Sequence, residues 1–105
     1  MQYLTITKDD QQKAITDAIA GREQEIFGYD LNIANYTALM ESLPVGPLPQ
    51  AVAELPESGE PFETSLLRSE YQFRDEIAAR LTAEKIERSK SHRIYAVLLA
   101  QLKND

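Results

Sequence analysis

All five prolines of the chain fall within one short stretch, and this clustering constrains the fold more than any other feature. They are Pro44, Pro47, Pro49, Pro56 and Pro61. Proline lacks a backbone N–H donor and clashes with the preceding helical turn, so helices rarely continue through it. The segments on either side contain no proline and are rich in helix-favouring residues. We therefore predict an all-α fold: a long antiparallel α-hairpin with a helix over residues 8–42, a proline-rich connector over 43–62 and a second helix over 63–102.

Composition limits the class of protein. A length of 105 residues suits a single domain, and 43% of the residues are hydrophobic, which is enough for a packed core. The chain has no cysteine, so disulfides, thiolate metal sites and cysteine nucleophiles are excluded. Its first residues lack the pattern of a signal peptide, and no apolar run approaches the roughly 18 residues that span a bilayer. We expect a cytoplasmic protein that does not enter a membrane.

The first residues predict that a helix begins at Lys8. Thr7 has the side chain of an N-cap, which accepts a hydrogen bond from the third helical amide, and Asp9 and Asp10 suit the positive end of the helix dipole. Before this point, residues 1–7 alternate between apolar and polar side chains. The alternation fits a short N-terminal strand, paired with another copy of the chain, and it fits a terminus packed on the helices equally well.

The first helix carries two apolar stripes. One is a heptad seam with a single charge in it, composed of Ile15, Ile19, Arg22, Ile26, Tyr29, Ile33, Tyr36 and Met40. The other lies about a third of a turn away and contains Ala20, Phe27, Leu31, Ala34 and Ala38. A hairpin partner covers only one stripe. We therefore predict that Phe27, Leu31, Ala34 and Ala38 contact a second copy in a dimeric, four-helix arrangement.

Two glycines of the first helix, Gly21 and Gly28, are also one heptad apart. This spacing fits the close approach of another backbone, and it fits tolerated flexibility as easily. Each glycine costs about 1 kcal/mol relative to alanine in the interior of a helix.

The second helix is apolar at its two ends and polar over residues 82–93. Its first apolar end contains Leu66, Leu67, Phe73, Ile77 and Leu81, and its second contains Ile94, Tyr95, Val97, Leu98, Leu99 and Leu102. If Met40 lies opposite Leu66, an antiparallel arrangement places Arg22 opposite Glu84. We predict this register, in which Glu84 neutralises the charge of the first seam.

The sequence lacks the motifs of catalysis and metal binding. His92 is the only histidine, and the residues one helical turn from it are Arg88, Ser89, Tyr95 and Ala96, none of which is a usual metal ligand. No nucleotide-binding glycine loop or nucleophile elbow occurs. We expect no enzymatic activity, no metal site and no cofactor. A small active site formed between subunits is the hypothesis that this reasoning leaves open.

A cluster of cations in the second helix is the most distinctive local feature. It consists of Arg80, Lys85, Arg88, Lys90 and Arg93. One interpretation is a docking strip for an acidic partner or for a nucleic-acid backbone. The other, which we favour, is charge complementarity with the acidic first helix. The spacing of Pro44 and Pro47 also fits a polyproline ligand, although so short a pattern often arises by accident.

These observations favour a non-catalytic protein–protein interaction or regulatory module that forms a homodimer and binds a protein partner. Its small size and its net charge of −6 also suit an accessory protein of a phage or mobile element. The alternative is a nucleic-acid-associated factor that uses the cations of residues 80–93. The acidic balance of the whole chain counts against nucleic-acid binding, which requires neutralisation of phosphates by lysine and arginine.

Overall fold

The computed structural model of the chain describes residues 7–55 and 61–103. Helices account for 88% of these residues, and the described part contains no strand. The helices are α1 (Lys8–Ser42), α2 (Gln50–Ala53) and α3 (Phe62–Lys103). The prediction of an all-α hairpin is confirmed, because α1 packs against α3. The predicted N-terminal strand lies outside the described residues, as do residues 56–60 of the predicted connector.

Local signals explain where α1 begins and ends. The Thr7 side-chain oxygen accepts a hydrogen bond from the Asp10 amide at 3.1 Å, so Thr7 is the N-cap that the sequence predicts. At the other end, the Ser42 hydroxyl donates to the Leu39 carbonyl at 2.7 Å. Proline at position 44 then prevents the helix from continuing, because it has no amide to donate and restricts the residue before it.

The segment between α1 and α2 turns at Gly46, whose φ of +84° is a conformation that only glycine adopts without strain. A polyproline helix needs φ near −75° at every residue, so the polyproline interpretation of Pro44 and Pro47 is wrong for this conformation. The Arg74 guanidinium donates to the carbonyls of Pro44, at 3.1 Å, and of Gly46. The turn is thereby held against α3.

A second arginine holds the next part of the chain. The Arg68 guanidinium donates to the carbonyls of Val52 and of Leu55, the latter at 2.6 Å, at the end of α2. Both arginines lie in the first half of α3, so residues 44–55 pack along the beginning of that helix. In this arrangement, arginine side chains donate hydrogen bonds to backbone carbonyls that would otherwise be hydrogen-bonded only to water.

Contacts divide the described residues into two compact units. One contains the residues up to Leu31 and those from Lys85 onward, and the other contains Asn32–Glu84. In the first unit, Glu23 accepts from the Tyr95 hydroxyl at 3.4 Å and Asp30 pairs with Arg88 at 2.5 Å. A rise of seven residues along α1 corresponds to a fall of seven along α3, so the two segments of this unit are antiparallel.

The predicted register is wrong. In the second unit, Glu84 accepts a hydrogen bond from Asn32 at 3.3 Å, ten residues further along α1 than its predicted partner. In the first unit, Arg22 pairs with Glu25 at 2.9 Å and lies 3.5 Å from the hydroxyl of Ser91. Within the second unit, the physical reason for the shifted position of Glu84 is the packing of residues 44–55 along the beginning of α3. These residues take the place that the prediction gave to the end of α1.

Few apolar side chains are deeply buried. Among the apolar residues of the described ranges, Ile19 is 7% exposed, Ile77 is 2% exposed, and no others are classed as buried. In the same ranges, no helix has the length and apolar character needed to cross a membrane. The packing of α1 and α3 therefore depends mainly on half-buried side chains.

Candidate functional site

The seam predicted on α1 is the covered side of that helix. All eight of its residues, from Ile15 to Met40, are buried or half-buried. In contrast, the second stripe is exposed at every position, with Phe27 65% and Leu31 49% exposed. The hairpin thus covers one stripe of α1 and leaves the other uncovered, as a helix with two apolar stripes and one neighbour requires.

The uncovered side of α1 bears no charge over most of its length. On the side opposite the seam it presents Ala20, Gly21, Gln24, Phe27, Gly28, Leu31, Ala34, Asn35 and Ala38, of which Gly28 is half-buried and the others are exposed. Here we call this surface the neutral face. At 1.5 Å per residue it is about 28 Å long. An uncharged face of small residues around two large apolar ones is suited to contact with another helix.

Four charged residues beside the neutral face have polar partners within their own unit. Arg22 pairs with Glu25 at 2.9 Å, Asp30 pairs with Arg88 at 2.5 Å, and Glu23 accepts from the Tyr95 hydroxyl. A protein that covers the neutral face would therefore leave these ion pairs in place, so its binding would not require new partners for them.

The five cations of the predicted docking strip do not lie on one side of α3. At about 100° per residue, positions 80, 85, 88, 90 and 93 spread around most of the helix circumference. Arg88 is half-buried in its pair with Asp30, and Lys90 pairs with Glu87 at 3.2 Å. Arg80, Lys85 and Arg93 are exposed. The pair with Asp30 is the charge complementarity with α1 that the sequence favours, while a docking role for the other cations stays a prediction.

Ser91 is a buried residue that sequence reasoning missed. It is 2% exposed, and its hydroxyl lies 3.5 Å from the Arg22 guanidinium. Heptad spacing could have identified Ser91 as a buried position. It falls three residues after Arg88 and four before Tyr95, which are both half-buried. Here the hairpin interior is polar, because a serine and an arginine occupy positions that apolar residues fill elsewhere in the seam.

His92 is exposed, and its ring lies 6.1 Å from the ring of Tyr95. Across residues 7–55 and 61–103, no group of three or more histidine, cysteine, aspartate or glutamate side chains is placed to hold a metal ion.

Some of the apolar residues that the sequence places at both ends of α3 are exposed. Phe62 is 74% exposed, Leu66 50% and Phe73 40%, and towards the other end Ile94 is 44% and Val97 53% exposed. Side chains next to them in the sequence, such as Leu67, Ile77, Leu98 and Leu102, are buried or half-buried. Like α1, α3 has a covered apolar side and an uncovered one.

Comparison of the chain with protein-family models, with curated protein sequences and with solved structures finds no significant match.

Proposed function

We propose that this chain is a non-catalytic protein–protein interaction or regulatory module that self-associates, forming a homodimer. The observation that carries the proposal is the uncovered apolar surface of both long helices. Soluble monomers rarely expose contiguous apolar patches beyond a few hundred Å², and larger patches mark interaction sites. Phe27, Leu31, Phe62 and Leu66 are each at least 49% exposed in the single chain. A second protein surface would remove these side chains from water.

The limited core supports the same proposal. Stability comes mainly from apolar burial offset by conformational entropy, and the net value for a domain is small. Among the described apolar residues, Ile19 and Ile77 alone are classed as buried. Burial against another chain would add the apolar contacts that the single hairpin lacks, as in proteins whose folding is linked to association.

Sedimentation of the purified chain over a range of concentrations tests self-association. We expect a concentration-dependent increase in mass, whereas a monomer at every accessible concentration would contradict the proposal. Ile26→Asp is expected to disrupt the hairpin itself, because Ile26 is a half-buried seam residue.

The neutral face is a proposed contact surface, and the sequence assigns its members Phe27, Leu31, Ala34 and Ala38 to a second copy. Leu31→Asp is expected to weaken binding of whichever protein covers this face while the helix content of the monomer is unchanged. Thr37→Asp, an exposed change on another side of α1, is the matched control.

The regulatory role is tested by recovering proteins that bind the chain from an extract of its host. A partner of the neutral face should be retained by the wild-type chain and by Thr37→Asp, and lost with Leu31→Asp. Equal recovery by all three proteins would show that this partner uses a different surface.

A further inference from the structure

A second heptad repeat runs along the neutral face of α1 and continues two steps before it. Its members recur at alternating steps of three and four residues, which is the spacing of side chains on the contact line between two helices. They are Ala14, Asp17, Gly21, Gln24, Gly28, Leu31, Asn35 and Ala38. All of them are exposed except Gly28, which is half-buried. Since α1 is one helix, these positions share one side of it, and one partner helix can contact them together.

Two exposed charges of opposite sign flank this repeat at its ends. Lys13 lies one residue before Ala14, and Glu41 follows Lys13 by four heptads, so both lie on the same flank of the contact line. Neither takes part in an ion pair within residues 7–55 and 61–103. A parallel second copy of α1 would set like charges beside each other at both ends. An antiparallel copy sets Lys13 beside Glu41 twice, so charge complementarity selects this orientation.

We propose that the neutral face of α1 binds the neutral face of a second copy, with the two α1 helices antiparallel. This inference rests on the self-association proposed above and assigns its contact surface, orientation and alignment. The alignment that brings Lys13 to Glu41 sets the repeat positions opposite each other as follows: Ala14 with Ala38, Asp17 with Asn35, Gly21 with Leu31, and Gln24 with Gly28. The central pairs, from Gly21 to Leu31, belong to one compact unit, and the outer pairs lie further along the same helix.

The contact closes on itself. An alignment that sets residue 21 opposite residue 31 also sets 31 opposite 21, so every pair forms twice and the contact is two-fold symmetric. A heptad repeat drifts by about 20° per heptad around a straight α-helix, and two helices that cross at about 20° compensate for this drift. Both chains then use the same surface, and a dimer is the expected assembly.

The facing side chains are complementary in size and polarity. Leu31, which is 49% exposed in the single chain, lies against Gly21, where a Cβ atom would meet no other atom within 4 Å. A large side chain thus fills the space beside a small one. The Asn35 amide is placed to donate to the Asp17 carboxylate. Phe27, which is 65% exposed, falls next to the two-fold axis, where it meets its counterpart in the second copy.

Glu25 also falls near the two-fold axis, and its charge is already compensated within its own chain. Its carboxylate accepts from the Arg22 guanidinium at 2.9 Å and from the Tyr29 hydroxyl at 2.9 Å. Arg22 and Tyr29 are seam residues, so these bonds direct the carboxylate towards the covered side of α1. Repulsion between the two copies of Glu25 is therefore reduced.

The size of the contact predicts a dimer of moderate affinity. Residues 13–41 extend over about 42 Å of helix, and with a helix diameter of about 10 Å the footprint is on the order of 400 Å² per copy. A standard stable interface buries about 800 Å² per partner. The dimer is therefore expected at high protein concentration. Because Lys13 and Glu41 are exposed, its affinity should fall as salt screens their charges.

Cysteine crosslinking tests the alignment, because the natural chain contains no cysteine. Ala14→Cys and Ala38→Cys place one thiol each at positions that face each other in the antiparallel dimer. When the two variants are mixed and oxidised with diamide, a covalent dimer is expected on a non-reducing gel. Either variant alone should remain uncrosslinked, since its two thiols would be about 36 Å apart. Thr37→Cys, exposed on another side of α1, replaces Ala38→Cys as the matched control and should not crosslink to Ala14→Cys.

Charge exchange tests the orientation by sedimentation at low salt. Lys13→Glu alone and Glu41→Lys alone each set like charges together at both ends of the contact. Each variant is expected to self-associate on the order of tenfold more weakly than wild type. The double variant, Lys13→Glu with Glu41→Lys, restores opposite charges and should recover the affinity of wild type. Circular dichroism of each variant checks that the helices are retained.

The outcomes separate this inference from self-association itself. Crosslinking in the mixture alone, together with recovery in the double variant, supports the antiparallel contact. Crosslinking of Ala38→Cys with itself would show a parallel contact and overturn the inference. A wild-type dimer whose mixed cysteine variants do not crosslink, or whose affinity the double variant does not recover, overturns the inference but not self-association. A wild-type monomer at every accessible concentration overturns both.

Discussion

Alanine at Gly21 or at Gly28 is expected to stabilise the protein, whereas alanine at Gly46 is expected to destabilise it. A Cβ atom built on any of the three glycines meets no other atom within 4 Å, so steric contact does not distinguish them. The backbone conformation distinguishes Gly46 from the other two glycines. Gly21 and Gly28 lie inside α1, while Gly46 has a φ of +84°. The same chemical change is therefore expected to have opposite signs.

The magnitudes follow from the backbone. Glycine is about 0.8–1.0 kcal/mol less favourable than alanine in a helix interior, so Gly21→Ala and Gly28→Ala should each add about 1 kcal/mol to the free energy of unfolding. For a domain near this size, that corresponds to an increase in Tm of roughly 4–8 °C per substitution. At Gly46, a left-handed conformation costs an L-residue about 1–2 kcal/mol, so Gly46→Ala should lower Tm by a comparable or larger amount.

Thermal and urea unfolding, followed by circular dichroism, measure these changes. The experiment is carried out at several protein concentrations, because association alters the apparent stability. A loss of stability in Gly21→Ala or Gly28→Ala would refute the reasoning, since it would show that a neighbour occupies the space beside these glycines. If that loss grows with protein concentration, the neighbour is a second copy that approaches the neutral face closely.

Three further predictions concern the hairpin. Ile77→Ala should cost about 2–5 kcal/mol in urea unfolding because Ile77 is 2% exposed, while Val45→Ala, at 93% exposed, should stay within about 0.5 kcal/mol. Equal effects would contradict the burial of Ile77. Arg74→Ala should speed amide hydrogen exchange around residues 50–53, because the carbonyls of Pro44 and Gly46 lose a donor; unchanged exchange would exclude this role. A double-mutant cycle should show coupling of about 0.2–1 kcal/mol between Asp30 and Arg88, and none between Arg22 and Glu84.

The sequence by itself determined the helices. Local rules place their ends, since Thr7 caps the first amides of α1 and Pro44 blocks the helix beyond Ser42. The heptad spacing from Ile15 to Met40 identified the covered side of α1, because side chains that recur every three and four residues share one face wherever the partner lies. Capping and periodicity depend on neighbours within a few residues, so they are readable from the chain alone.

The candidate surfaces were predictable in part. The stripe containing Phe27 and Leu31 was visible as a second periodicity, and the structure leaves it exposed. The cations of residues 80–93 looked like one strip because they are close in sequence. The helical turn spreads them around α3 and brings Arg88 to Asp30. Although these cations are close in sequence, they do not lie on one side of α3.

Only the tertiary structure decided how the helices align. The register depends on how residues 44–55 pack, and that packing is fixed by Arg68 and Arg74, which donate to carbonyls that no side-chain pattern reveals. Within the same unit, the resulting alignment brings Asn32 to Glu84. A heptad repeat permits several registers related by whole turns, so long-range backbone hydrogen bonds select among them.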